Sequence, residues 1–149
     1  MLEKMRNKNS EDYALLALIQ SFYIQFTSGM AAGALSSKIV GNAEKALELD
    51  STNLRGWYVL GSNDFYTPES FGGGNKVEYY LKKAISTPPK NIKNPYLPTW
   101  GREYTYELLI RYYIRKDKKD EAKEYLQIAE KEFPTSYFIS EYKKKMASE

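Results

Sequence analysis

The sequence predicts an all-α chain built from stacked helical hairpins. Three observations carry this. Apolar residues recur every three or four positions almost from end to end, the 3.6-residue period of helices that bury one stripe. No stretch alternates polar and apolar residues as a half-buried strand would. The helix breakers also fall between the periodic stretches: Gly29 and Gly33, Asp50-Ser51, Pro68 to Gly74, Pro88-Pro89, Pro95 and Pro98, Lys116-Asp117, and Pro134.

Tyr13, Leu16, Ala17, Gln20 and Ile24 place a first helix over 10–27, and Ile39, Ala43, Ala46 and Leu47 a second over 35–49. Trp57, Leu60, Gly61 and Asp64 place a third over 53–66, with Asn53 as its N-cap. Val77, Leu81, Ala84 and Ile85 give a fourth over 75–86, and Asn75 with Glu78 three residues on makes a capping-box-like pair at its start. Tyr106, Leu109, Ile110 and Tyr113 lie in a fifth over 99–115; Ala122, Leu126, Ala129 and Phe133 mark a sixth over 118–132 behind Asp117 as N-cap. A last helix over 136–147, capped by Thr135 or Ser136, covers the end of the stack and turns Lys143-Lys144-Lys145 to water.

The chain has 149 residues, one domain's worth, and is long enough to hold a core without cross-links. It has no cysteine, which excludes disulfides, thiolate zinc sites and cysteine nucleophiles. It has no histidine, which removes the commonest general base and transition-metal ligand. No cofactor and no metal site is therefore expected. No apolar run reaches the length of a membrane-spanning helix, and no apolar h-region follows the charged N-terminus as in a signal peptide. The net charge of +3 does not argue for nucleic acid, and no first helix carries a one-sided lysine stripe, so no nucleic-acid partner is expected. The one basic zone is 76–102, with Lys76, Lys82, Lys83, Lys90, Lys93 and Arg102 against Glu78 alone; a solvated lysine face accounts for it better than an acidic partner.

The helix pairs share a 34-residue period. Tyr106, Leu109, Ile110, Tyr113, Ala122, Leu126, Ala129 and Pro134 occupy offsets 4, 7, 8, 11, 20, 24, 27 and 32 of a unit spanning 103–136. Trp57, Leu60 and Gly61 repeat offsets 4, 7 and 8, and Val77, Leu81, Ala84 and Pro89 repeat 20, 24, 27 and 32 once an insertion is allowed. Small residues at 8, 20 and 27 let paired helices approach; large ones at 4, 7, 11 and 24 fill the space between hairpins. This pattern, and the stretch from Asn42 to Gly61 above all, resembles the tetratricopeptide repeat. The resemblance covers about 10–136 in three units (about 10–52, 53–91 and 103–136) and implies a right-handed α-α superhelix. Two positions depart from it: Ile110 stands where Gly or Ala is usual at offset 8, and Asp64 where an aromatic is usual at offset 11. The spacing also implies insertions around Thr27 to Ser37, at Pro68 to Gly74 and from Ile92 to Arg102.

Tyr66-Thr-Pro-Glu-Ser-Phe-Gly-Gly-Gly74 and the later Leu97-Pro-Thr-Trp-Gly101 are similar to segments of a group of bacterial repeat proteins, mostly exported. That resemblance implies a periplasmic or cell-envelope setting if a leader lies upstream, and a cytoplasmic one otherwise; it assigns no reaction. Counted back from Tyr13, residues 1–9 fall at the end of a preceding unit, so the chain is expected to be a fragment of a longer protein.

Little in the sequence points to catalysis. Gly72-Gly73-Gly74 before a helix suggests an anion cradle, but Asn75-Lys76-Val77 follows in place of the Walker lysine and hydroxyl, and a hairpin turn explains the glycines better. Carboxylates cluster at Glu11/Asp12, Asp120/Glu121/Glu124 and Glu130/Glu132; those after Asp117 sit among lysines as on a solvated helix face, and none lies in an apolar run that would make it a catalytic acid. Aromatics make up 15% of the chain, more than repeat packing alone requires. In the repeat it resembles, offsets 2, 5, 9, 12 and 13 of the first helices line a concave groove. They fall here on Arg55, Tyr58, Ser62, Phe65 and Tyr66, and on Tyr104, Glu107, Arg111, Ile114 and Arg115. The expected function is a non-catalytic binding module for a peptide or protein, since tyrosine and arginine are what binding hot spots favour. Tyr58 and Ser62 stand where some such repeats keep a lysine/asparagine clamp, which disfavours a receptor for C-terminal carboxylates. The alternative is a small-ligand protein whose long loops close over a pocket containing Phe71, Gly72, Gly73, Gly74 and Trp100.

Overall fold

A computed structural model describes residues 1–88 and 93–147. Among them are seven α-helices and no strand: α1 (Ser10–Tyr23), α2 (Gly29–Leu49), α3 (Leu54–Tyr66), α4 (Val77–Ser86), α5 (Arg102–Arg115), α6 (Lys119–Glu132) and α7 (Tyr137–Ala147). Short 3-10 turns occupy Leu2–Lys4, Ile24–Phe26 and Glu69–Phe71. Pro89, Lys90 and Ile92, used above as a breaker, a basic-zone residue and the start of an insertion, lie outside the described residues.

Several helix limits differ from the expected ones, each for a local reason. Most of the open stretch expected from Thr27 to Ser37 is helical. Gly29 turns the chain with φ of 56°, and α2 then runs for 21 residues. Ala31, Ala32 and Ala34 favour helix strongly enough to offset Gly33, whose cost in a helix is about 1 kcal/mol. α4 begins at Val77, because Asn75 and Glu78 form no capping box. The Asn75 amide donates to the Gly72 carbonyl at 3.1 Å. The cap comes from α3 instead: Lys76 N–H donates to Asp64 Oδ2 at 2.7 Å. α5 begins at Arg102 rather than 99, because Gly101 sits at φ of 117°, outside helical space. Asp117 is not an N-cap; it takes a left-handed φ of 56° in the α5–α6 turn, and Lys118 precedes α6 without a side-chain cap bond. The Asn53 cap forms as expected, accepting from Arg55 and Gly56 N–H at 3.0 and 3.2 Å, and Ser136 Oγ accepts from Ile139 N–H at 3.3 Å.

The chain divides into two compact units, Met1–Thr99 and Trp100–Glu149. In the first, α1 packs on α2 and α3, α2 on α3, and α3 on α4. Its core holds Ala17, Ile39, Ala43, Val59 and Leu60, with Leu18, Leu35, Val40, Leu47, Trp57, Tyr58 and Tyr80 packed around them. The small residues do what close approach requires. A Cβ placed on Gly61 would come within 2.5 Å of Leu81 Cδ2, and one on Gly56 within 3.0 Å of Leu47. Ala14, Ala43, Ala46 and Ala84 are fully buried. In the second unit α5 packs on α6 and α6 on α7. Leu109, Ile110, Tyr113, Ala122 and Ala129 are fully buried there. Tyr113 stacks at a tilt on Tyr125, ring centroids 5.6 Å apart.

Candidate functional site

In the first unit the candidate residues sit on α3, and the fold sorts them by depth. Arg55 is 7% exposed. Its Nε and Nη2 donate to the two Glu11 carboxylate oxygens at 2.6 and 2.5 Å, a two-pronged pair between α3 and α1. Beside it, fully buried Asn53 caps α3 and donates from Nδ2 to Ser10 Oγ at 2.7 Å. Ser10 Oγ in turn donates to the Ala46 carbonyl at 2.7 Å. Arg55 therefore belongs to a polar joint that ties the start of α1, the end of α2 and the start of α3. Phe65 is 2% exposed, its ring edge-on to Tyr66 at 4.9 Å. Tyr58 and Ser62 are half-buried and Tyr66 is 60% exposed. These three are spaced by four residues and so share one face of α3.

Sequence reading gave Glu11 no partner. A usable signal existed: Glu11 and Arg55 hold the same offset in successive units, so opposite charges at that offset point to a pair across neighbouring first helices.

The glycine loop is a closed turn. Gly72 N–H donates to Glu69 O, Gly73 N–H to Pro68 O, and Gly74 N–H to Asp64 O, at 2.9 to 3.1 Å. The three amides that would cradle an anion are thus already bonded, two within the turn and one to the end of α3. A Cβ on Gly73 would lie 1.9 Å from the Thr67 carbonyl oxygen, so only glycine fits there. Phe71 at the tip is 81% exposed. Of the other residue expected in a loop pocket, Trp100, the structure shows a half-buried side chain in the second unit. It precedes Gly101, whose carbonyl accepts from Thr105 N–H and Oγ1 at 2.9 and 2.7 Å and so starts α5.

In the second unit Tyr104, Glu107 and Arg111 share a face of α5 at spacings of three and four. Tyr104 is 43% exposed and its ring lies 6.4 Å from Phe138 of α7. Burial raises the Glu107 carboxyl above its ordinary value; Arg111, 3.9 Å away, works against that rise and Glu103 adds to it. On another face, Tyr106 O–H donates to Glu132 Oε2 at 2.9 Å, and Glu132 also pairs with Arg102. Burial, then the Glu132 bond and charge, push the Tyr106 hydroxyl up to about 12. That arrangement is a lock between α5 and α6. A cleft of about 300 Å³ also lies in this unit, bordered by Ile114, Asp117, Lys119, Lys145 and Met146; of the expected groove positions it includes Ile114 alone.

Among the described residues, no group of three Asp or Glu side chains is placed to hold a metal ion, and no helix is long and apolar enough to cross a membrane. Compared with known proteins, the chain matches no family model, no curated protein and no solved structure.

Proposed function

We propose that this chain is a non-catalytic binding module of tetratricopeptide-like hairpins, stacked as a right-handed superhelix, that engages a peptide or protein partner through the exposed, groove-type faces of its first helices. One observation supports this above the rest. α3 and α5 each set an aromatic and a polar side chain in a row on one face, Tyr58, Ser62 and Tyr66 on α3, and Tyr104, Glu107 and Arg111 on α5, and both rows keep a tyrosine substantially exposed. Large, rigid rings with a polar tip lose little entropy on binding and favour desolvated contact, and arginine adds directional hydrogen bonds. Arg55 and Phe65 serve this reading as supports, the first by fixing α3 on α1 and the second by backing the Tyr66 ring.

The test is capture from an extract of the native host on the immobilised chain, followed by titration of the captured protein. Replacing Tyr58 or Arg111 by alanine is expected to weaken that binding by more than about 1 kcal/mol each. Unchanged binding by both variants would remove these faces from the site.

A further inference from the structure

One surface is left over by everything above. Leu15, Ile19, Phe22 and Phe26 step by four, three and four along one side of α1 and the turn that follows it, and they are exposed to 42, 51, 64 and 77%. Tyr23 and Met30 extend the strip at 62 and 94%, with the Tyr23 and Phe26 rings 6.3 Å apart. The opposite side of α1 is the one that faces the core, through Ala14, Leu16, Ala17 and Gln20. α1 is therefore apolar on two sides and has a helix partner on one.

The strip is also neutral. From Tyr13 to Ser37 the chain carries no charged residue, in a protein where 28% of residues are charged. At about 200 Å² for a large side chain, the six residues leave of the order of 700 Å² of mostly apolar surface open. That exceeds the roughly 300–600 Å² of the largest patch on a typical monomer and approaches the about 800 Å² per partner of a standard interface.

The geometry points to a second copy of this chain as the occupant, with the two α1 strips packed antiparallel about a two-fold axis. A face without charge has nothing to repel its own image, and nothing to select a charged partner. An antiparallel pair also holds the acidic starts of the two α1 helices, Glu11 and Asp12, at opposite ends. Two other exposed aromatics stand beside charges: Lys83 lies over the Tyr79 ring at 5.7 Å, and Glu107 and Arg111 share the face of Tyr104. Gly29, Ala31, Gly33 and Ala34 at the start of α2 are exposed and small, so they put no bulk in the way of a neighbouring helix.

Sedimentation of the full chain over a micromolar concentration series tests this. Wild type is expected to show a monomer–dimer equilibrium. Ile19→Lys combined with Phe22→Lys is expected to weaken it by about a hundredfold or more, as loss of two central anchors implies, with helix content unchanged because both side chains are already exposed. Tyr79→Lys, on α4, is expected to dimerise as wild type does. Because a lysine on α1 can disturb more than the contact, the milder Phe22→Ser is measured beside it and is expected to fall between the two. A wild type that stays monomeric overturns the proposal. So does a double variant that dimerises normally, or a monomer whose strip instead binds neutral phosphatidylcholine vesicles and loses that binding with the two lysines.

Discussion

At offset 8 of the 34-residue unit the α3–α4 hairpin has Gly61, and the α5–α6 hairpin has Ile110. At offset 11, α3 has Asp64 and α5 has Tyr113. The remaining spacing is shared, with Leu60 and Leu109, Leu81 and Leu126, Ala84 and Ala129 buried at matching places. In α3–α4 the helices meet at a glycine, where Leu81 leaves no room for a Cβ. The long loop is then held by Asp64, whose carboxylate caps α4 and whose carbonyl accepts from Gly74. In α5–α6 a fully buried isoleucine takes the glycine's place, and the turn is short, closed by Asp117 at φ of 56° with Lys118 N–H on the Tyr113 carbonyl at 2.9 Å. The Tyr113 side chain fills the core against Tyr125, with Lys118 Nζ 5.7 Å from the ring centroid. One register therefore tolerates two closures, provided the residues at offsets 8 and 11 change together with the loop.

Substitutions at those offsets sharpen or break the comparison. The largest effect is expected at Ile110. Truncation to alanine should cost about 2–5 kcal/mol in denaturant unfolding, because the fully buried side chain would leave a cavity in α5–α6. A cost near zero would show that the two hairpins pack alike. Gly61→Ala comes next, at about 1–3 kcal/mol, since Leu81 is fully buried and has little room to move. Asp64→Ala should cost about 0.5–2 kcal/mol through the lost cap and speed amide exchange at Lys76, while leaving exchange in α6 as it was.

The smallest effect concerns Glu107 and depends on pH. Its carboxyl is raised in the folded state from a value near 4.5, chiefly by burial. The folded chain then binds the proton more tightly than the unfolded one. The favourable contribution is present in full below the unfolded value and is lost as pH rises through the raised one. Glu107→Gln should therefore be slightly more stable than wild type at neutral pH, and the difference should close below about pH 4.5, as read by thermal melts across that range. Partial exposure and the loose Arg111 pair keep the gain small.

The helices were legible because spacing and caps are local. Asn53 capped α3 as its chemistry requires, and Ala46, Ala84, Ala122 and Ala129 turned inward as the period demands. What escaped reading depends on partners distant in sequence. The Asn75–Glu78 pair looked like a capping box, but Asp64 from another helix reaches Lys76 first. Arg55 looked like a groove residue; its depth follows from Glu11, 44 residues earlier. Gly29 breaks the chain as expected, but Gly33 does not, because the alanines on either side of it carry α2 across. The second apolar strip of α1 was overlooked because one stripe already satisfied the helical pattern. Its signal was present as the charge-free run from Tyr13 to Ser37.

The shared register itself is tested most directly by nuclear Overhauser contacts in the isotope-labelled full chain. Strong cross-peaks are expected from the Gly61 α-protons to the Leu81 methyl groups, and from the Tyr113 ring to the Tyr125 ring. Gly61 protons that see only their own helix and solvent would contradict the helix contact on which the hairpins, and the faces proposed for binding, depend.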